Sequence, residues 1–391
     1  MSAAAHEDGR TGGGRRALVV TVVHHPHDAR IRHRQIPALL AAGWQVTYAA
    51  PWTDYGVEAE RAPEGLTTVD VRRAVGRARL AAQRSARAVL RSQGPAHDVV
   101  LLHDPELVPT TLGLRLPPVV WDVHEDTAAA VAVRPWLPDR LRPLVAGGVR
   151  GVERLAERRM ALLLADEHYA ARFAGPHPVV LNTTVVPEEP PVAAVPDEQG
   201  VRRVVYLGSV TVERGVHELV TIGRRLQEAS SGTVRLQVIG PAHGPAKAVM
   251  QAARAERLLD WEGFVPSDRA LSMLGGALAG LSTLHDIANF RPSVPTKIVE
   301  YLAQGVPVIS TPLPTAVDLV ERSGGGVLVP FQDVEETVEQ ALAWAQDPAS
   351  AQEVGRRGHA FARAELDWTS QAPAFVRAME AAADGSRRGG E

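Results

Sequence analysis

The chain has 391 residues, 45% hydrophobic and 22% charged, with a formal net charge of −3. That length exceeds one ordinary core and suits two domains, while the charge argues against general nucleic-acid binding. Cysteine is absent, which excludes disulfides, thiolate metal sites and a cysteine nucleophile and fits a reducing, cytoplasmic setting.

No run reaches the ~20 apolar residues of a membrane-spanning helix. Residues 1–16 are small, polar and rich in Gly and Arg, without an apolar h-region. They read as a disordered leader rather than a signal peptide. Residues 17–23 form an apolar, β-branched run, the mark of a strand buried on both faces. A polar loop at 24–28 leads into a helix over 29–42, which Gly43 ends, and residues 44–50 are the next strand. This is the βαβ unit of a parallel sheet. The pattern goes on with a basic helix at 72–93, a strand at 98–103, a helix at 107–114 and a strand at 119–124. A long helix at 140–163 and a short strand at 178–181 complete a first domain over 17–184.

Pro187, Pro190, Pro191 and Pro196 mark residues 185–200 as a linker. A second alternating series fills 201–367. Its strands are expected at 203–208, 233–240, 259–264, 278–283, 307–311 and 326–329. Helices are expected near 215–229, 244–257, 268–275 and 295–304, then from Thr315 and from Val334. A last helix at 368–382, with Phe375, Val376 and Met379, packs back on a domain, and 383–391 is a tail. The fold class is α/β: two doubly wound, Rossmann-like domains facing across a cleft, with ligands at the carboxyl ends of the strands.

Four segments could carry chemistry. In the first, a strand ends at Gly208 and Gly215 opens a helix, with Ser209 and Arg214 between. The loop amides and Arg214 suit a diphosphate, although a plain strand-to-helix turn gives the same pattern. In the second, Pro295 starts a helix that Gly305 ends, and Thr296, Lys297 and Glu300 share its first turn and a half. A lysine beside open helix amides points to an external phosphate. A carboxylate one turn on can accept both hydrogen bonds of a ribose diol. The plainer alternative is a surface Lys297–Glu300 pair.

The third segment is a set of histidines at strand ends: His27 with Asp28, His103 with Asp104 and Glu106, and His124 with Glu125. They fall on the ligand-binding rim of the first sheet. A metal site is conceivable there, but no pair has the spacing of a dedicated metal motif. The fourth is the basic stretch Arg72, Arg73, Arg77, Arg79, Arg84, Arg87 and Arg91, which has no acidic residue. It reads as a solvated face or as a surface for anionic lipid headgroups.

The run from Tyr206 through Gly208 to Arg214 and Gly215, followed by Pro295, Thr296, Lys297, Glu300 and Gly305, resembles the retaining glycosyltransferases of family 4. These are GT-B enzymes that use nucleotide sugars. The phrases around His27 and Asp28, His103 to Glu106, and Asp122 to Asp126 resemble its polysaccharide-building branch. The resemblance implies transfer with retention, without metal or cofactor, from a nucleotide-sugar donor, with a UDP-sugar as the leading choice. It implies that Glu300 binds the donor ribose and that Arg214 and Lys297 meet the diphosphate. His124 would touch the transferred sugar or acceptor, and main-chain groups of Gly263, Phe264 and Val265 would read the base. Two positions depart from the pattern: Pro292 stands where many members carry a glutamate, and Ser209 where an arginine is frequent.

The sequence also fits other classes. A nucleotide-sugar epimerase or a non-catalytic nucleotide-sugar-binding protein would carry much of the same pattern. A dinucleotide-dependent oxidoreductase is disfavoured, because no G-x-G-x-x-G follows the first strand.

Overall fold

The apolar runs at residues 17–20, 99–102 and 119–123 are buried along their whole length, as strands covered on both faces must be. They form the centre of a parallel sheet in the computed structural model, which describes residues 14–58, 63–124, 140, 142–288 and 290–385. This sheet contains β1 (Arg16–Val20), β2 (Gln45–Ala50), β3 (Leu66–Asp70), β4 (Val99–Leu102), β5 (Val119–Val123) and β6 (Ala161–Leu164). Its spatial order is β3-β2-β1-β4-β5-β6.

The second sheet contains β7 (Arg202–Leu207), β8 (Val234–Ile239), β9 (Asp260–Gly263), β10 (Ala279–Ser282), β11 (Val308–Ser310) and β12 (Gly326–Leu328). Its order is β12-β11-β10-β7-β8-β9, the same winding read from the other edge. Each sheet therefore reverses direction once, between β1 and β4 and between β7 and β10. Crevices for ligands open at such reversals.

The final helix, Trp368–Gly385, does not stay with the second sheet. Trp368, Phe375, Met379 and Ala383 join the core formed by Ala17, Ile36, Trp44 and Tyr48 of the first. Arg15 ties down the end of that helix through Glu380 and Asp384. The chain thus crosses between domains twice, and the two crossings lie side by side. Trp368 N donates to Thr184 O at 2.8 Å, and Val186 N donates to Asp367 Oδ1 at 3.3 Å.

Several elements differ from the sequence reading. β3 was not expected; its burial alternates weakly because it is the sheet edge. The long helix ends at Arg159 and the apolar run after it is β6. Residues 178–181 supply only an isolated bridge, Leu164 to Val179. The Pro105–Thr111 segment is a 3-10 helix, with Pro109 unable to donate inside it. The basic helix begins at Arg79, after the left-handed Gly76 (φ 50°). A further helix, Pro348–Glu365, follows Val334–Gln346. The first strand begins at Arg16 and the last helix runs to Gly385, beyond the limits set for leader and tail. Residues 185–200 do not hang free: Ala193 and Ala194 are buried, and Ala194 N donates to Ala277 O at 3.0 Å.

Candidate functional site

Between the two domains lies a cleft of about 1290 Å³ whose walls include Arg30, Arg34, His124, Arg214, Lys297 and Glu300. Its second-domain wall is set by backbone geometry. Gly208 (φ 111°) and Gly240 (φ 149°) take conformations that side chains resist, and a Cβ on Gly240 would fall 2.0 Å from Gly208 O. Gly215 (φ 85°) begins the Val216–Ser230 helix; a Cβ there would meet Thr283 O at 2.7 Å. The loop from β7 is thereby laid against the end of β10, where Thr283 Oγ1 donates to Arg214 O at 3.0 Å. That contact aims Arg214 into the cleft, with its guanidinium 5.6 Å from the Phe290 ring.

The Thr296–Ala303 helix has no side-chain cap at its N-terminus, so its first amides are available for a ligand. Tyr301 anchors this helix from below. Its hydroxyl accepts from Leu207 N at 2.7 Å and donates to Leu281 O at 3.1 Å, and Gly280 leaves room for its ring. Lys297 is only 6% exposed. Its ammonium lies 3.5 Å from the Tyr206 ring centre and has no hydrogen-bond partner among the described residues. Burial, then the nearby Arg214, pull its pKa well below the usual lysine range. Burial pushes the Glu300 carboxyl up, opposed by Arg34 and then Lys297.

The first-domain wall is a network of buried charges. Arg30 Nε and Nη2 donate to Asp122 at 2.7 and 2.8 Å, and Gln35 Nε2 donates to the same carboxylate at 2.8 Å. Asp104 accepts from Thr21 Oγ1 at 3.0 Å and Val22 N at 2.6 Å. His24 links this layer to the cleft. Its Nε2 lies 2.9 Å from His124 Nε2 and 3.3 Å from Asp104 Oδ1, and its Nδ1 lies 3.6 Å from Asp28 Oδ2. Burial, then His24, hold the His124 pKa down at about 3, so its ring is neutral. Because His124 Nδ1 faces the Asp122 carbonyl at 3.1 Å, that nitrogen carries the hydrogen and Nε2 accepts from His24.

His103, Asp122 and His124 place ligand atoms within 4.8 Å of one another, which is compatible in distance with a metal. The donor set is not. Both Asp122 oxygens are occupied by the Arg30 guanidinium, whose charge would repel a cation at that carboxylate.

The structure brings Arg214, Thr296, Lys297, Glu300, Asp28 and His124 to the cleft wall. His103 and Asp104 lie behind it, 2% and 1% exposed. Glu106 is turned to Arg79, and His27 packs edge-on against Trp52. Gly208 underlies Lys297, and a Cβ there would stand 3.9 Å from the lysine Cε. Ser209 O accepts from the Tyr206 hydroxyl at 3.0 Å. Gly263 ends β9 in a left-handed conformation (φ 71°). Phe264 beside it is 52% exposed, with its ring 4.5 Å from that of His25 across the domains. Val265 packs on the second-domain core. Glu125 lies outside the described residues. No Lys297–Glu300 ion pair forms among the described residues, because Lys297 turns under the helix toward Tyr206. Arg30 and Arg34 were not among the expected site residues; their partners Asp122, Asn182 and Glu300 lie far away in sequence.

Residues 201–347 match the family model of Glycosyl transferases group 1. The putative colanic acid biosynthesis glycosyltransferase WcaL of Escherichia coli K12 is 26% identical over 145 residues, 37% of this chain and 36% of that protein. Its Salmonella typhimurium counterpart is 27% identical over 141 residues, 36% of this chain and 34% of that protein. The chain therefore spans about a third of the length of the curated relatives it matches. Among solved structures, the sucrose-phosphate synthase of Thermosynechococcus elongatus superposes with a TM-score of 0.69 at 16% identity, covering 93% of this chain and 98% of that one. Anabaena HepE in complex with UDP-glucose superposes with a TM-score of 0.67 at 14% identity, covering 94% and 99%. The fold is that of the two-domain GT-B glycosyltransferases.

Proposed function

We propose that this chain is a retaining glycosyltransferase of the hexosyltransferase type, working in the cytoplasm. It moves a sugar from a nucleoside-diphosphate donor, a UDP-sugar first, to a hydroxyl of a glycan, lipid-linked or small-molecule acceptor. The observation that carries the reading is Lys297: a buried ammonium without a hydrogen-bond partner among the described residues, at an uncapped helix start, beside Arg214 and one turn before Glu300. A buried charge left unpaired is costly, and a diphosphate would repay that cost. The match to the group 1 family over the same domain and the UDP-glucose bound by HepE support the choice of donor.

In this reading the bond between the anomeric carbon and the diphosphate oxygen breaks as the acceptor oxygen bonds to the same face of that carbon. The acceptor's proton passes to the departing phosphate. Negative charge grows on the diphosphate, and Lys297, Arg214 and the helix amides stabilise it more in the transition state than in the ground state. Two fixed cations at this position take the role a divalent ion would otherwise fill. The experiment is incubation of the protein with a panel of UDP-sugars and acceptors in excess chelator, with the product anomer read by NMR. Retained configuration, with turnover unaffected by chelator, is expected. Inversion, or an epimerised donor formed without acceptor, would sink the proposal.

The reading extends to a peripheral contact with anionic membrane through the basic stretch, whose arginines differ in their partners within the protein. Arg72 pairs with Asp54, and Arg73 covers the Tyr55 ring. Arg79 pairs with Glu106, and Arg87 donates to Thr110 O and Leu112 O. Arg77, Arg84 and Arg91 are exposed, as are Val75 (54%) and Leu80 (65%). Neutralising these three arginines should abolish co-sedimentation with phosphatidylglycerol vesicles, since each is worth about 1 kcal/mol near such a surface. Unchanged sedimentation would remove the membrane from the proposal.

A further inference from the structure

Arg34 comes from the first domain, yet it is 6% exposed in the wall of the cleft. It lies in the π-helical turn Ile31–Gln35, an irregularity frequent at functional sites. The wider turn directs successive polar groups inward: Gln35 reaches Asp122, while Arg34 Nη1 donates to Asn182 Oδ1 at 3.1 Å. Arg34 Nη2 then stands 3.9 Å from Glu300 Oε1 of the opposite domain. That distance is too long for a hydrogen bond. It supplies charge without occupying the lone pairs that a ribose diol would need.

The groups around this pair are few. Lys297 faces Glu300 from its own helix, with Arg214 behind it. Asp28 and Arg30 stand beside Arg34. The cleft keeps water from Glu300, which disfavours the carboxylate. Arg34, supplied by the opposite domain, offsets that cost.

We propose that Arg34 is a positioning residue for the donor ribose, acting through Glu300, so that the ribose subsite is complete only when the two domains are closed. The inference rests on Glu300 being the ribose acceptor. It makes donor affinity depend on a residue that does not belong to the donor-binding domain.

The test is calorimetric titration of UDP into the full chain between about pH 5 and pH 8. The variants are Arg34→Gln, Asn182→Ala, Glu300→Gln and the Arg34→Gln/Glu300→Gln double variant. Without Arg34 the Glu300 carboxyl is pushed higher, so its charge is lost earlier on acidification. Arg34→Gln should therefore weaken UDP about ten-fold near pH 7 and move the acid limb of binding to higher pH. Asn182→Ala, which loosens the guanidinium without removing it, should move the limb the same way by less. It serves as the readout if Arg34→Gln fails to fold.

On the Glu300→Gln background, Arg34→Gln should change affinity by less than about two-fold. The titration of UDP itself is common to every arm. Glu300→Gln binding UDP as tightly as the wild type would overturn the ribose reading and this inference with it. Glu300→Gln weakened, with Arg34→Gln and Asn182→Ala unaltered in affinity and limb, would overturn this inference alone. So would an Arg34→Gln loss that is equal at every pH and persists on the Glu300→Gln background, as a direct phosphate contact would give.

Discussion

Replacing Lys297 by methionine is expected to lower kcat for sugar transfer by about 10²–10³-fold while raising stability by about 1–3 kcal/mol. The two effects have one cause. The buried ammonium has no hydrogen-bond partner among the described residues, and its close favourable contact is the Tyr206 ring at 3.5 Å. A desolvated cation–π contact is worth about 2 kcal/mol, less than the several kcal/mol that removing an ion from water costs. Methionine fills similar volume without that penalty. When the diphosphate arrives the balance reverses, because its charge restores the ammonium. Binding of UDP should then take up a proton over the range where the free amine, pulled down by burial and Arg214, has lost it. Calorimetry in buffers of different ionisation enthalpy measures that uptake directly. The affinity should fall as pH rises through the amine's value in the complex. A Lys297→Met enzyme that transfers sugar at the wild-type rate, or that melts well below it, would remove Lys297 from the mechanism and make it a structural residue.

The sequence carried the second-domain wall far better than the first. Gly208, Arg214, Gly215, Lys297 and Glu300 lie in two short segments whose spacing is local. The strands behind them are continuous apolar runs. In the first-domain wall Asp28 and His124 stand in short phrases too, but the arginines beside them have no such signature. Arg30 meets Asp122 across 92 residues of chain, and in a sequence where nearly all basic residues are arginine no single one stands out. Arg34 is directed into the cleft by a π-helical turn that apolar periodicity reads as an ordinary helix. β6 was absorbed into the preceding helix because no Gly or Pro separates Arg159 from the apolar run that follows. β3, an edge strand with only Leu66 buried along it, has neither an apolar run nor a strict alternation to mark it. His24 lies in the polar loop at 24–28, and it meets Asp104 and His124 because the switch point of the sheet brings the ends of β1, β4 and β5 together.

That first-domain network makes a second large effect testable. Arg30→Ala is expected to cost about 3–5 kcal/mol of stability, because it leaves the Asp122 carboxylate buried without its guanidinium. Asp122 is 0% exposed and Arg30 is 4% exposed, so solvent cannot replace the lost partner. Arg30 also donates to Val180 O at 3.1 Å and Leu181 O at 3.3 Å, so its loss opens the backbone that leads out of the first domain. The pH dependence follows from the same pair. Burial alone would raise the Asp122 pKa, but Arg30, then His103, hold it well below its ordinary value of 3.8. A depressed carboxyl contributes stability that is fully present above its unfolded value and is lost as pH falls toward the folded one. The wild type should therefore lose this contribution only below about pH 4. In Arg30→Ala, burial is no longer opposed by the guanidinium, so the Asp122 pKa rises and the variant should lose less stability than the wild type on acidification, the gap narrowing as protonation discharges the stranded carboxylate. Chemical denaturation across that range measures both quantities. The variant Arg30→Met/Asp122→Leu separates charge from packing: with no stranded ion it should recover much of the lost stability. If it is as unstable as Arg30→Ala, the pair matters through its hydrogen bonds to residues 180 and 181 rather than through its charges.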